Sequence, residues 1–205
     1  MTRLAVFDFD GTVTRHDTLL PFLAELRGHR MVVAYLARRG PRIAATLAGF
    51  GSRDEEKRLL LRTMLAGMPV ADARRAGDLV AARILRRGRV RATVVSAVRA
   101  HVARGDEVVV VSASPRFVVC SLMAELGVHD VITTELATSP AGLLTGEVIG
   151  ANVRGEEKVR RLVLARPGRY ERTIAYGDSA GDAALLAWAD EAYWVHRART
   201  GISAR

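Results

Sequence analysis

Cys120 is the only cysteine in 205 residues, so no internal disulfide can form and no cysteine-based zinc site can be assembled. Its expected role is that of a small apolar side chain buried in a helix. Lysine is almost as scarce: of 31 basic residues only Lys57 and Lys158 are lysines, and the others are arginines. Aromatic residues make up 5% of the chain, and the arginines are not interleaved with them as a single-strand nucleic-acid binder requires. The net charge of +9 therefore reads as solvated helix faces with a general leaning toward anionic ligands, and no nucleic acid is expected as a partner. No apolar run approaches the ~18 residues of a membrane span. Leu4 to Phe7 runs straight into two aspartates, which does not suit a secretory signal, so a cytoplasmic location is expected.

With 49% hydrophobic and 26% charged residues, the composition is that of a packed globular chain, long enough for one domain with a smaller insertion. Leu4 to Phe7, Val108 to Val111 and Thr173 to Tyr176 are short apolar runs rich in β-branched or aromatic residues, each followed by turn formers. They read as buried parallel strands. Helical patterns at Val94 to Val102 and Phe117 to Leu126 flank the second run, and the alternation indicates an α/β fold with a central parallel sheet. Residues 17–89 differ in texture, with Leu and Ala at helical spacing. Breaks at Gly28, Gly40-Pro41, Gly49 to Ser52 and Met68-Pro69 divide them into about four helices. Leu143 to Ile149, with Gly142 and Gly146 at its turns, reads as a short hairpin, and the tail after Val195, with Arg197, Arg199 and Gly201, reads as frayed.

The polar residues that follow the three strands share one sheet edge, where open α/β sheets bind ligands. Asp8 and Asp10 lie two apart, so extended backbone projects both carboxylates to one side. One can serve as nucleophile while the other exchanges protons. Gly11 permits a tight turn and Thr12 can fix it. Ser112-Ala113-Ser114-Pro115 leads into a helix, with Ser114 as cap and Pro115 at the first helical position, and offers a hydroxyl and backbone N–H groups to a phosphate. Lys158, in the first turn of the helix opened by Gly155, opposes the helix dipole by ~0.3–1 kcal/mol, which calls for an anionic partner. Lys57, beside Asp54, Glu55 and Glu56, reads as a surface residue. Gly177-Asp178-Ser179-Ala180-Gly181-Asp182 adds two carboxylates four apart. Asp8, the Asp10 main-chain carbonyl and Asp178 would suffice, with phosphate and water, for Mg2+. Asp182 either orients these ligands, pairs with Lys158, or caps the following helix. The five histidines show no metal-ligand spacing.

In their order, Asp-x-Asp-Gly-Thr, a strand-end Ser, Lys at a helix start and Gly-Asp-x-x-x-Asp, these residues resemble the four motifs of the haloacid dehalogenase superfamily. An insertion directly after the first motif is similar to the C1 cap of its phosphoserine-phosphatase-like branch, subfamily IB. The segments Val111 to Phe117 and Leu144 to Asn152, then Lys158, resemble that branch as well. The resemblance implies a Rossmann-like core (residues 1–16 and 90–205) and a helical cap (17–89). It also implies a magnesium-dependent phosphatase of small-molecule phosphate esters. Asp8 would be the nucleophile, Asp10 the acid and base, Gly11, Ser112, Ala113 and Lys158 the phosphate ligands, and Thr12 and Asp182 supporting residues. Keeping Asp10 separates the chain from dehalogenases, which lack that residue. Gly11, Ala113-Ser114 and Gly181 replace the Ser, Gly-Gly and Asn of phosphoserine phosphatases, so phosphoserine is not assigned; Asp17 falls where those enzymes place a substrate-contacting Glu. Met31 to Leu36 and Ile43 to Phe50 read as inner faces of cap helices or, alternatively, as contacts for an amphiphilic phosphate ester. A catalytically silent, basic anion- or nucleic-acid-binding protein is the reading from another class.

Overall fold

The computed structural model describes residues 2–196 and 202–204. Among them a six-stranded sheet runs in the order β3 (Val131–Thr134), β2 (Glu107–Pro115), β1 (Arg3–Phe7), β6 (Arg172–Gly177), β7 (Glu191–Val195), β8 (Ile202–Ala204). Only the β7/β8 pairing is antiparallel. β1 lies between β2 and β6, with Val6 opposite Val109 on one side and Ala175 on the other. The three apolar runs occupy the middle of the sheet, where strands buried on both faces have no reason to alternate.

Strand periodicity divides the core in two. Ala5 and Phe7 of β1 face a cluster with Val94 and Val98 of α5 (Ala92–Ala103) and Val118 and Leu122 of α6 (Arg116–Ala124). Leu4 and Val6 face Leu162 of α7 (Glu156–Ala165) and Leu185 and Leu186 of α8 (Ala183–Trp188).

Between β1 and α5 lie α1 (Leu19–Arg27), α2 (His29–Leu47), α3 (Arg53–Leu65) and α4 (Val70–Arg86). Gly40-Pro41 does not break this stretch: α2 runs through both. Pro41 is exposed, so the carbonyl its missing N–H leaves without a helical partner is on the solvent side. In the two apolar segments Val32 is buried and Tyr35 and Leu36 pack on the core, whereas Met31, Val33, Leu47 and Phe50 are exposed. Inward packing therefore accounts for only part of them.

The expected hairpin differs in register. β4 (Leu136–Thr138) pairs antiparallel with β5 (Leu144–Val148), so residues 143–149 supply one strand and Gly142 lies in the turn. Gly146 is inside β5 with φ 82°, and a Cβ there would lie 2.6 Å from Arg62 Cα. Its bareness lets α3 lie on the ribbon. In the tail, residues 202–204 pair with β7, which contradicts fraying there; Arg197, Arg199 and Gly201 lie outside the described residues.

A second close approach joins α4 to α6: a Cβ on Gly77 would lie 2.7 Å from the Phe117 carbonyl carbon, with backbone rather than a flexible side chain in the way. Gly77→Ala is expected to destabilise the protein by ~1–3 kcal/mol through this overpacking. Gly40→Ala, with no atom within 4 Å of the new methyl, should stabilise it by ~0.5–1 kcal/mol by removing backbone entropy from the unfolded chain. Urea melts of the two variants should shift in opposite directions.

Candidate functional site

The carboxyl ends of β1, β2 and β6 meet at a cavity of about 310 Å3 that contains Asp8, Asp10, Ser112 and Lys158. Asp8 continues β1, its N–H donating to the Tyr176 carbonyl at 2.9 Å. Asp178 follows β6, so the two carboxylates flank the point where the strand order turns back across β1. Lys158 is 2% exposed and donates from Nζ to Asp8 Oδ1 at 2.5 Å and to Asp182 Oδ1 at 2.6 Å. Burial alone would lower the Lys158 pKa, but the Asp8 and Asp182 carboxylates outweigh it and hold the ammonium above the ordinary lysine value. Burial pushes the Asp8 carboxyl up to about 7 against the pull of Lys158.

Asp10 is held from two sides, Oδ1 accepting the Thr18 N–H at 2.7 Å and Oδ2 the Ser114 hydroxyl at 2.5 Å. Burial raises its pKa to about 6, with the Asp17 charge adding to the rise and the two donors opposing it. Ser114 is therefore not the helix cap that the sequence suggests. Pro115 precedes the first helical residue, Arg116, and the Ser112 hydroxyl accepts the Ser114 N–H at 3.0 Å, closing the turn.

Gly11, at φ 91°, is required by space as well as by backbone: a Cβ would lie 2.4 Å from Asp178 Oδ2. Thr12 donates its hydroxyl to Asp178 Oδ1 at 3.3 Å. The Gly11 carbonyl accepts Arg91 Nε at 2.7 Å, so a buried guanidinium fixes the back of this turn. Of its three offered roles Asp182 takes two: one oxygen receives Lys158, and the other accepts the Asp178 and Ser179 N–H groups and the Ser179 hydroxyl, whereas its side chain makes no capping bond to α8.

Lys57 corrects the surface reading. Its ammonium donates to the Ala113 carbonyl at 2.5 Å and to Asn152 Oδ1 at 2.6 Å, lines the cavity, and is pushed down to about 8 by burial. The acidic neighbours that suggested a solvated helix start include Asp54, which itself turns inward to accept Asn152 Nδ2 at 2.7 Å. Arg53, Asp17 and Arg154 also line the cavity. Asn152, Arg53 and Arg154 carry no local signal of a site, apart from the family-like segment Leu144 to Asn152. A larger groove of about 630 Å3 between α4, α6 and β4 contains none of the site carboxylates. Cys120 lines it half-buried, not in the core as expected.

Carboxylate oxygens of Asp8, Asp178 and Asp182 lie within 4.8 Å of one another, an all-oxygen set that suits a hard divalent cation. Asp178 reaches this cluster by resting in the space that Gly11 leaves open.

Residues 5–187 match the haloacid dehalogenase-like hydrolases. The chain belongs to this family. It is 35% identical over 192 residues to Protein CicA of Caulobacter vibrioides, covering 92% of this chain and 83% of that one. The solved structure of a Bordetella pertussis Tohama I protein of unknown function superposes with a TM-score of 0.75 at 26% identity, covering 92% and 87% of the two chains. A substrate-bound phosphoserine phosphatase shares the fold, with a TM-score of 0.61 at 20% identity over 92% and 83%. Among the described residues of the hydrolase, no helix is long and apolar enough to cross a membrane.

The raised Asp10 pKa has a consequence for stability. In metal-free protein its favourable share is complete below the ordinary aspartate value of 3.8 and is lost as the pH rises through about 6. The melting temperature of Asp10→Asn should therefore climb relative to wild type between about pH 4 and pH 6 in chelator, then level off. A difference flat across that range would mean an ordinary carboxyl at position 10.

Proposed function

We propose that the hydrolase cleaves small phosphomonoesters through an aspartyl-phosphate on Asp8, with residues 17–89 as a cap over a core of residues 1–16 and 90–205. The observation that carries this reading is the Asp8–Lys158–Asp182 chain beside Asp178 and Asp10: a buried carboxylate with a fixed ammonium on one oxygen, next to a carboxyl that titrates near 6. Asp8, Asp178 and the Asp10 carbonyl would hold magnesium, since Asp182 is already committed to Lys158 and residues 178–179. The ion supplies charge neutralisation between the carboxylates and the phosphate.

In the first step an Asp8 oxygen attacks phosphorus, the bond from phosphorus to the ester oxygen breaks, and protonated Asp10 gives its proton to the departing alkoxide. In the second, Asp10, now a carboxylate, takes a proton from water as that water attacks the phosphoryl group, and inorganic phosphate leaves Asp8. A pKa near 6 suits a group that must be acid in one half and base in the other. Lys158, Ser112 and the backbone at Gly11 and Ala113 would hold the phosphoryl oxygens. The Lys57 bond to the Ala113 carbonyl supports the orientation of that loop.

The cavity volume and polar lining favour a small metabolite over an amphiphile. Leu19 is the one large apolar residue among its lining residues, while Met31, Val33, Leu47 and Phe50 are exposed to solvent.

Hydrolysis of p-nitrophenyl phosphate by purified protein should require magnesium and stop in EDTA. Asp8→Asn should lose at least ~10³-fold in kcat, and Asp10→Asn ~10²–10⁴-fold, with both variants folded by circular dichroism. Undiminished turnover by Asp8→Asn would remove the nucleophile assignment. Absence of turnover of any phosphate ester by wild type would favour an anion-binding protein instead.

A further inference from the structure

The outer half of the cavity carries charges that the two-step reaction does not use. Arg53 and Lys57 come from α3, Arg154 from the loop before α7, and Asp17 from the loop that leads into α1. A cationic substrate group would depend on Asp17, the one acidic side chain at the mouth among three cationic ones. Its Oδ1 accepts the Leu19 N–H at 2.8 Å, and Asp17 is the strongest of the charges acting on the Lys57 ammonium. Besides Asp17 and Lys57, the mouth offers two guanidinium groups.

The position of Arg154 depends on a specific glycine. Gly181 is not among the positive-φ glycines, so its backbone admits any residue. Its space is tight: a Cβ there would lie 3.1 Å from Arg154 Nε and 3.4 Å from Arg154 Cγ, so the Arg154 side chain would have to move aside by a few tenths of an ångström. The same two loops are tied by the Gly155 N–H, which donates to the Gly181 carbonyl at 2.9 Å. Gly181 therefore acts as the seat on which the Arg154 stem lies as it enters the cavity wall. Arg154 and Arg53 are both exposed, their charged groups open to a ligand from solvent. A guanidinium offers paired donors to a carboxylate or phosphate and repels an ammonium.

We propose that this site selects phosphomonoesters whose alcohol portion bears a second anionic group and no amine, with Arg154, seated on Gly181, and Arg53 as the residues that read that group. The inference rests on the phosphatase reading above. A cavity of about 310 Å3 suits a compact ester of a few carbons. The second anion is a carboxylate or a second phosphate, since either presents a pair of anionic oxygens to the two parallel donors of a guanidinium.

The test is a comparison of kcat/KM for wild-type protein with magnesium on compact esters that differ in the second group: 3-phosphoglycerate (carboxylate), 1,3-propanediol bisphosphate (phosphate), glycerol 3-phosphate (neutral), phosphoserine (carboxylate and ammonium) and phosphoethanolamine (ammonium). The first two should exceed glycerol 3-phosphate by roughly tenfold or more, and phosphoethanolamine should be the poorest; the better of the first two identifies the anion. Arg154→Ala should raise KM for the better anionic ester by roughly tenfold with a smaller change in kcat, Arg154→Lys should restore part of the loss, and Gly181→Asn should mimic the loss by displacing the stem. Equal rates across the series, a preference for phosphoethanolamine or phosphoserine, or an Arg154→Ala effect of the same size on all five esters would overturn the proposal. Turnover of p-nitrophenyl phosphate or of any ester in the series separates the two readings: with it, any of those outcomes removes the selectivity alone, and with none of them hydrolysed the phosphatase reading fails and takes the selectivity with it.

Discussion

Lys158 lies almost wholly buried between Asp8 and Asp182, in bonds of 2.5 and 2.6 Å, and much of the site is arranged around that ammonium. Removing an isolated charge from water costs several kcal/mol, and excellent geometry with further hydrogen bonds is needed to offset it. Each carboxylate is secured in turn. Asp8 is anchored through its N–H to β6, and Asp182 through donors from residues 178 and 179. The helix that supplies Lys158 is thereby tied to the ends of β1 and β6. The unfavourable position of a cation at the positive end of α7 is tolerated because two full charges at hydrogen-bond distance exceed a partial one.

The glycines extend the same logic to the backbone. Gly11 has to be bare because Asp178 occupies the place of its Cβ, and Gly177 because Asp182 Cβ would lie 2.5 Å from a side chain there. These two positions let the carboxylates of Asp8, Asp178 and Asp182 gather within 4.8 Å of one another. Gly77 and Gly146 do the same at larger scale, bringing α4 onto α6 and α3 onto β5. Because α3 is seated so closely, Lys57 reaches the Ala113 carbonyl, and the insertion contributes directly to the wall of the site.

What was legible in the chain follows from how local each signal is. The three central strands, the helices after them and the strand-end residues Asp8, Asp10, Ser112 and Asp178 are visible because an apolar run and the polar turn after it are adjacent in sequence. Lys158 was detectable as a local contradiction, a cation where the helix dipole disfavours one. β3, β7 and β8 escaped notice because they are short and only partly buried, and their pairing is decided by neighbours far along the chain. Lys57, Asn152, Arg53 and Arg154 escaped for a related reason. Nothing within a few residues of them distinguishes them from surface groups, and only the seating of α3 and the loop before α7 brings them together. Pro41 misled in the opposite direction, because a strong local breaker was tolerated on a solvent-facing turn.

Asp10 joins the chemistry to the insertion. Its two oxygens are held by Thr18, at the start of α1, and by Ser114, at the end of β2, so its orientation requires both elements at once. The same donors also moderate its acidity, because each favours the charged form while burial favours the neutral one. A shift of the insertion that withdrew the Thr18 N–H would leave burial less opposed and move the carboxyl further from the value at which it can both give and take a proton. Under the proposed reading, a substrate filling the space between Asp17, Arg53 and Arg154 would touch the insertion and the core together, and so act on the elements that set this balance. In the proposed reaction recognition and proton transfer would share a single structural dependency, the fit of α1 and α3 against the ends of the sheet.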